Sequence, residues 1–259
     1  NQITMPDAGS IILDGEALAP KHTAQIGYLP EERGLYKSMK VGEQALYLAQ
    51  LKGLSKAEAK KRLKYWFEKF DISAWWGKKI EELSKGMAQK VQFIVTVMHN
   101  PKLLIFDEPF SGFDPINAQL IAKEILQLRD EGATIIFSTH RMESVEEMCD
   151  EIALINKSNK ILDGKLSDIK REFRTNTFQV GLNTANPKEV EASLKQNFDV
   201  LPADFKLLGE ELTLNVKLKD SNSANELLSF LTSRGEVQHF VELIPSANDI
   251  FIQAVNKNS

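Results

Sequence analysis

The segment Leu103-Leu104-Ile105-Phe106-Asp107-Glu108-Pro109 decides the fold. Its first four residues form a continuous apolar run, which is typical of a strand buried on both faces of a parallel sheet. The run ends in two carboxylates, and ligands of open parallel sheets bind outside the carboxyl ends of the strands. Because successive side chains of an extended backbone point in opposite directions, one carboxylate can hold a hydrated Mg²⁺ while its neighbour polarises an attacking water. In isolation the same residues are equally compatible with a solvated turn.

The residues after this strand predict a parallel crossover. Asp114 and Pro115 supply an N-cap and a first-turn proline for a helix that Gly132 closes, and the next strand is predicted at residues 133–137. Such a unit is right-handed and brings the carboxyl ends of both strands to one edge of the sheet. We therefore expect His140 to converge with the two carboxylates and to touch a transferring phosphoryl group. Taken alone, it would more often be a capped or core histidine.

Helical periodicity dominates the chain ahead of the decisive strand. Apolar residues at helical spacing predict two amphipathic helices over residues 41–70, with a break at Gly53-Leu54-Ser55. Ser84 precedes a further helix that runs to about Met98. Alone, Ser84 is most often an N-cap that satisfies backbone donors. The same helix N-terminus, with Gly86 allowing close backbone approach, is also an anion site.

The sequence predicts two domains. Residues 1–173 form an α/β domain with a parallel sheet and a helical subdomain at about 38–100. Residues 174–259 form a small α+β domain in which we find no chemical motif. The segments predicted after His140 are a helix at 143–148, a hairpin over 152–162, a strand at 177–182, a helix at 187–197, a strand at 212–218, a helix at 224–232 and two final strand-like stretches.

Composition narrows the class of protein. The chain has 259 residues, 42% of them hydrophobic and 26% charged, so it can bury a sizeable core. A formal net charge of −4 argues against a large nucleic-acid footprint, and no apolar run approaches the roughly 18 residues that span a bilayer. A single cysteine, Cys149, excludes an internal disulfide framework and fits a reducing cytoplasm. The opening Asn1-Gln2-Ile3-Thr4 resembles the tail of an element that begins upstream, which predicts a truncated N-terminus.

Together these motifs resemble those of the ABC ATPase family over roughly the first 170 residues. The resemblance implies a P-loop NTPase-like parallel sheet with a helical signature subdomain. The motifs follow the family order: the approach to the Q-loop at Ile26-Gly27-Tyr28-Leu29-Pro30-Glu31, the signature at Leu83-Ser84-Lys85-Gly86-Met87, the Walker B strand at residues 103–109, the D-loop at Ser111-Gly112-Phe113-Asp114 and the switch histidine at Ser138-Thr139-His140.

The resemblance implies roles for the residues at the sheet edge. Asp107 would assist Mg²⁺ coordination, Glu108 would be the general base for the hydrolytic water, and His140 would contact the γ-phosphate of ATP. Glu31 stands where the family usually has the Q-loop glutamine. A carboxylate at this position can accept a hydrogen bond from a metal-bound water, although it adds negative charge beside Mg²⁺ and phosphate.

The resemblance also implies that active sites form between two chains. Ser84 and Gly86 would clamp the γ-phosphate of ATP bound to the opposite subunit of a head-to-tail homodimer, with Asp114 at its seam. Two signature positions depart from the family pattern, because Lys85 replaces a glycine and Met87 replaces a glutamine.

The phosphate-binding loop of the family is missing from the sequence. No Gly-x-x-x-x-Gly-Lys-Ser/Thr stretch occurs, although its backbone donors and lysine hold the β- and γ-phosphates in this class. In the family that loop would lie upstream of Asn1. We expect negligible ATP binding and hydrolysis from this chain, and ATP hydrolysis from the intact subunit.

Residues 28–36 and the extra C-terminal domain resemble the bacterial sodium-extrusion and drug-export branch of the family. This resemblance implies an exporter whose ATPase subunit pairs with a separately encoded transmembrane permease, on the cytoplasmic face of the cell membrane. The permease would dock at about residues 31–70. Trp75-Trp76, just beyond, is open to both a core and a contact-surface interpretation, and core is favoured.

Two other functions stay open at this point. A soluble ABC ATPase of translation or DNA repair would share the signature and the Asp-Glu strand, but such proteins usually carry two cassettes or a long coiled coil, neither of which is visible in this acidic chain. A cassette without its phosphate loop could instead be a regulatory or docking module. The intact Asp107, Glu108 and His140 argue against that, since a non-catalytic chain does not need polar groups that converge on a sheet edge.

Overall fold

The computed structural model describes residues 6–32, 34–201, 212–219 and 222–257. The opening residues 1–4 and Arg33, which belongs to the segment 28–36, therefore lie outside the described residues. The chain divides into two compact units, Asn1–His140 and Arg141–Ser259.

The first unit contains an N-terminal hairpin, a helical region and a parallel sheet. Its strands and α-helices are β1 (Ile12–Leu13), β2 (Glu16–Ala17), β3 (Ile26–Leu29), α1 (Val41–Leu51), α2 (Lys56–Lys69), α3 (Lys85–Val97), β4 (Leu103–Asp107), α4 (Pro115–Asp130) and β5 (Thr134–Ser138). The strands β1 and β2 pair antiparallel, whereas β3, β4 and β5 form a parallel sheet in that order. The predicted crossover from β4 through α4 to β5, and the helices predicted over 41–70, are confirmed.

Strand β4 is the centre of the sheet and of the core of this unit. Leu104 and Phe106 are fully buried, as expected for a strand paired on both sides. Phe93 of α3 stacks on Phe106 with ring centroids 5.9 Å apart, and Trp66 of α2 meets Phe93 edge-on at 6.3 Å. Burial of each large side chain contributes roughly 1.5–3 kcal/mol. This aromatic row holds α2 and α3 against the strand that carries the carboxylates.

Neither of the two neighbouring tryptophans is fully buried, but Trp76 packs against the helical region. The ring of Trp76 lies over Gly42 of α1, where a β-carbon would be 2.2 Å from Trp76 Cε2, so only glycine fits beneath it. Trp76 also meets Phe67 edge-on at 5.4 Å. It nevertheless stays 37% exposed, whereas Trp75 is half-buried. The favoured core interpretation therefore holds for one face of the Trp76 ring.

The second unit combines a hairpin, a four-stranded sheet and five helices within its described residues. Its elements are α5 (Met142–Met148), β6 (Glu151–Asn156), β7 (Asn159–Lys165), α6 (Leu166–Glu172), β8 (Thr177–Asn183), α7 (Pro187–Asn197), β9 (Asp199–Leu201), β10 (Leu212–Lys217), α8 (Ala224–Thr232), β11 (Glu236–Glu242) and α9 (Ala247–Lys257). The sheet order is β11-β8-β10-β9, with antiparallel pairs throughout. Residues from β8, β10, α7 and α8 make its core.

The last predicted strand of this unit is wrong, because that stretch is helix α9. Ser246 and Asp249 form a reciprocal cap: the Asp249 carboxylate accepts from Ser246 N at 2.9 Å, and Ser246 Oγ accepts from Asp249 N at 3.1 Å. Ala247, Ile250 and Ala254 are buried at the spacing of a helix. Short apolar runs do not distinguish strand from helix by periodicity alone, and the serine cap was the missed signal.

The compact units differ from the predicted domain limits. The helix α9 packs against α5 and β7, so the segment after His140 belongs to the second compact unit. The division at residues 173 and 174 therefore stays a prediction. Among the described residues, no helix combines the length and the apolar character needed to cross a bilayer.

Candidate active site

Glu108 and His140 meet at the carboxyl ends of β4 and β5. Glu108 Oε1 accepts from the backbone N of His140 at 2.9 Å and lies 2.8 Å from His140 Nδ1. The Thr139 hydroxyl lies 3.4 Å from the other oxygen, Oε2. The Glu108 side chain is 15% exposed, whereas that of His140 is 83% exposed. A largely enclosed carboxylate is thus oriented by the segment that follows β5.

The backbone of Glu108 differs from the extended form expected for both carboxylates. Its φ is 46°, in the left-handed region that a residue with a β-carbon rarely adopts. The conformation is held by hydrogen bonds on both sides, from Glu108 N to Ser138 O and from Ser111 N to Glu108 O, each 3.0 Å. It turns the glutamate away from the strand direction. Backbone strain of this kind clusters at active sites.

Asp107 ends β4 and is half-buried. Its Oδ1 accepts from the Ser138 hydroxyl at 2.5 Å, which fixes one carboxylate oxygen. Within the described ranges, no group of three or more acidic, histidine or cysteine side chains is close enough to hold a metal ion.

The signature segment lies against the D-loop of the same chain. Ser84 Oγ accepts from Met87 N at 3.3 Å and so caps α3. The first turn of α3 carries no acidic side chain, although Glu81 and Glu82 lie just ahead of its cap. Gly86 approaches the D-loop closely enough that an added β-carbon would lie 3.7 Å from Gly112 O. Gln89 of α3 donates a hydrogen bond to Ser111 O.

Asp114 and Glu31 lie in different surroundings. Asp114 caps α4, and its Oδ1 accepts from Asn117 N at 3.0 Å. Hydrogen bonds from the Asn117 backbone and then from its side chain hold the pKa of Asp114 below its usual value. Glu31 is exposed. No hydrogen bond among the described residues joins Glu31 to the carboxylates of β4 or to the signature.

One buried glutamine of α3 contacts the turn that carries Glu31. The Gln92 amide donates to Glu32 O at 3.3 Å and to Pro30 O at 3.5 Å. Sequence reasoning missed this residue, although a polar side chain on the apolar face of α3 was an available signal. The geometry brings Glu108 to His140 and Asp107 to Ser138 at the carboxyl ends of β4 and β5, and it brings the signature to the D-loop.

The fold, the strand-end carboxylates and the capped signature helix are those of an ABC-type ATP-binding domain. The ABC transporter family model matches residues 1–111, and the model of the C-terminal domain of DrrA1-3-like ATP-binding proteins matches residues 164–255. The uncharacterised ABC transporter ATP-binding protein YhaQ of Bacillus subtilis is 42% identical over 250 residues, which are 95% of this chain and 80% of the relative. The chain therefore belongs to the ATP-binding subunits of ABC transporters.

Two further similarities agree with this family. The linearmycin resistance ATP-binding protein LnrL of Bacillus subtilis is 35% identical over 167 residues, which cover 63% of this chain and 53% of that protein. A solved structure described as the ATP-binding subunit of an ABC transporter aligns with a TM-score of 0.59 and 33% identity, over 65% of this chain and 71% of the other. Members of this family bind ATP, and membership of the family implies ATPase activity.

Proposed function

We propose that this chain carries the hydrolytic groups of a transporter ATPase, with Glu108 as the general base. The observation that carries the proposal is the 2.8 Å contact of Glu108 Oε1 with His140 Nδ1 at the carboxyl end of a buried parallel strand. A general base must be fixed within reach of its water, and this carboxylate is held by two groups of His140. The proposed reaction is ATP plus water to ADP plus phosphate.

The two oxygens of Glu108 have different tasks in this proposal. Oε1 is engaged by His140 at 2.8 and 2.9 Å, whereas Oε2 has the longer 3.4 Å contact with Thr139. Oε2 is therefore the better oxygen to accept a proton from an attacking water. With Nδ1 directed at the carboxylate, Nε2 of His140 is the nitrogen that would meet a γ-phosphate oxygen. The exposure of this ring leaves it accessible to a nucleotide.

Asp107 and Glu31 are the proposed Mg²⁺ ligands. The Ser138 hydroxyl occupies Oδ1 of Asp107, and Oδ2 would face the ion or its waters. Glu31, being exposed, would accept from a metal-bound water. When bound, Mg²⁺ neutralises charge on the phosphate oxygens during phosphoryl transfer.

The second group of residues is proposed to act on the nucleotide of another chain. Ser84 and Gly86 lie at the N-terminus of α3, whose first turn contains no acidic residue. A helix N-terminus of this kind favours the binding of a phosphate. Asp114 caps the helix after the D-loop and would lie at the seam of a head-to-tail homodimer. This arrangement requires two chains for each active site.

We further propose that the chain needs a phosphate-binding loop to bind ATP. No Gly-x-x-x-x-Gly-Lys-Ser/Thr stretch occurs in its sequence. One face of the parallel sheet supports the proposal, because Tyr28, Ile105 and Ile136 lie in register across the three strands and Ile136 is 55% exposed. A segment that carries the loop would cover this apolar row.

The helical region is the proposed docking site of a transmembrane permease. Tyr47 and Leu51 of α1 and Tyr65 of α2 are large side chains left exposed. LnrL is described as a linearmycin resistance ATP-binding protein, and this similarity supports our proposal that the present chain serves an exporter. Its working place would then be the cytoplasmic face of the cell membrane, bound to the permease.

The test compares three chains in Mg-ATP binding and steady-state phosphate release: this chain, a version extended upstream through a phosphate-binding loop, and Glu108→Gln in the extended version. We expect binding and turnover from the extended chain, binding without turnover from Glu108→Gln, and neither from the present chain. ATP hydrolysis by the present chain would refute the requirement for the loop. An extended chain that binds no nucleotide would favour the docking-module function.

A further inference from the structure

One ion pair joins the helical region to the helix that follows the D-loop. Lys69 is the last residue of α2, and Glu124 lies in the middle of α4. Lys69 Nζ is 2.5 Å from Glu124 Oε2 and donates a hydrogen bond to Gln127 Oε1 at 3.0 Å. The Glu124 residue is 3% exposed, so its carboxylate is almost completely removed from water. The contact therefore spans two helices far apart in sequence.

The surroundings keep the lysine charged in spite of its burial. Its ammonium lies 5.3 Å from the Trp66 ring centroid and 5.7 Å from that of Tyr65, within the range of cation–π attraction. Burial by itself would lower the pKa of Lys69, but the interaction with Glu124 outweighs it and the pKa is raised. The second acceptor, Gln127, is itself fixed by a 2.7 Å hydrogen bond to Glu131. The lysine thus has a closed set of partners.

Stability alone does not account for a pair of this kind. Desolvation of two charges offsets most of their attraction, and a well-packed apolar pair of similar volume is often as stable or more so. What this ion pair adds is a constraint on distance, because its two charges attract only while Lys69 and Glu124 stay close together. Here that constraint links the end of α2 to α4.

The two helices belong to functionally different regions of the proposed ATPase. The helix α2 lies within residues 31–70, the proposed permease-docking region, and it contacts the signature helix through Trp66 and Phe93. The helix α4 begins at Asp114, the proposed seam residue. We propose that Lys69 and Glu124 are positioning residues that transmit movement of the permease-docking helices to the D-loop. This inference rests on the proposed function.

The test uses the chain extended upstream through a phosphate-binding loop, with Cys149 and any cysteine of the added segment replaced by serine, so that only the introduced cysteines are labelled. Spin labels at Lys60 of α2 and Lys123 of α4, both exposed, report the distance between these two helices by double electron–electron resonance. The pair is replaced by Lys69→Met with Glu124→Leu, which restores packing without charge. The control is the reversed pair, Lys69→Glu with Glu124→Lys.

We expect the apolar pair to broaden the distance distribution and to lower kcat roughly tenfold with KM unchanged, because misplaced groups far from the chemistry cost rate. The reversed pair should recover both properties at least in part. A distribution as narrow in the apolar pair as in the parent, or an unchanged kcat, would overturn the proposal. If the apolar pair fails to fold, Lys69→Arg tests the proposal in its place. Because this variant retains the charge, it must keep both the narrow distance distribution and the kcat of the parent. A parent without turnover would instead refute the proposed function, and the distance distribution would still decide whether the pair fixes the distance between α2 and α4.

Discussion

Replacing Glu108 by glycine and, in parallel, by alanine tests whether the backbone of the site is strained. At its φ of 46° a residue with a β-carbon loses about 1–2 kcal/mol, a penalty that glycine avoids. Both substitutions remove the same carboxylate and the same contacts with His140, so the difference between the two variants isolates the backbone. Inside an ordinary helix or strand, alanine is the more stable of the two by roughly 0.5–1 kcal/mol.

We therefore expect the sign to be reversed here, with Glu108→Gly more stable than Glu108→Ala by about 1 kcal/mol. The assay is urea unfolding followed by tryptophan fluorescence. The three tryptophans of the chain all lie in the first compact unit, which also contains Glu108. With a denaturant slope of about 1–3 kcal/mol per molar, the midpoints should differ by roughly 0.3–1 M. An alanine variant equal to or more stable than the glycine variant would refute the strained conformation.

Three further predictions concern Glu108, Phe93 and His99. In the extended chain, Glu108→Gln should keep both contacts with His140. The rate of phosphate release should still fall about 10²- to 10⁴-fold, because the general base is gone. A loss below fivefold would contradict the assignment of Glu108 as the base. Phe93→Ala should lower the free energy of unfolding by about 3–5 kcal/mol, since the ring is buried between α2 and the sheet. Calorimetry or denaturant unfolding checks this, with Tyr47→Ala, an exposed aromatic of α1, as the control. Burial, and then the charge of Lys52, lowers the pKa of His99 to about 4. The stability that depends on neutral His99 is complete above about pH 6.5 and is lost as the pH falls through 4. The free energy of unfolding of His99→Gln should therefore depend less steeply on pH over this range than that of the parent chain. An equal slope in the two chains would exclude His99 as the source of the pH dependence.

The starts of α2, α3 and α4 follow from residues that lie three positions apart in the chain. Ser55, Ser84 and Asp114 each accept from the backbone N of the third residue after them, at 3.2, 3.3 and 3.0 Å. Such caps are readable because donor and acceptor are three residues apart. The strand β4 is readable for the same reason, since its burial on both faces is written as a continuous apolar run.

The helix α9 marks the limit of local pattern reading. Its cap, Ser246 with Asp249, has the same spacing as the caps that were found. The pattern was nevertheless misread, because a short stretch rich in apolar residues matches both a strand and one side of a helix. Packing of α9 against α5 and β7 decides between them, and that contact joins parts of the chain that are far apart in sequence.

The sequence by itself determined the class of fold, the strand-end carboxylates and the expectation that His140 meets them, because alternation, caps and motif order are properties of neighbouring residues. Tertiary structure alone decided the left-handed backbone of Glu108, the Gln92 contact with the turn at Glu32, and the Lys69–Glu124 pair. These depend on where whole helices and strands pack, and groups 55 or 60 residues apart leave no local signal of their meeting.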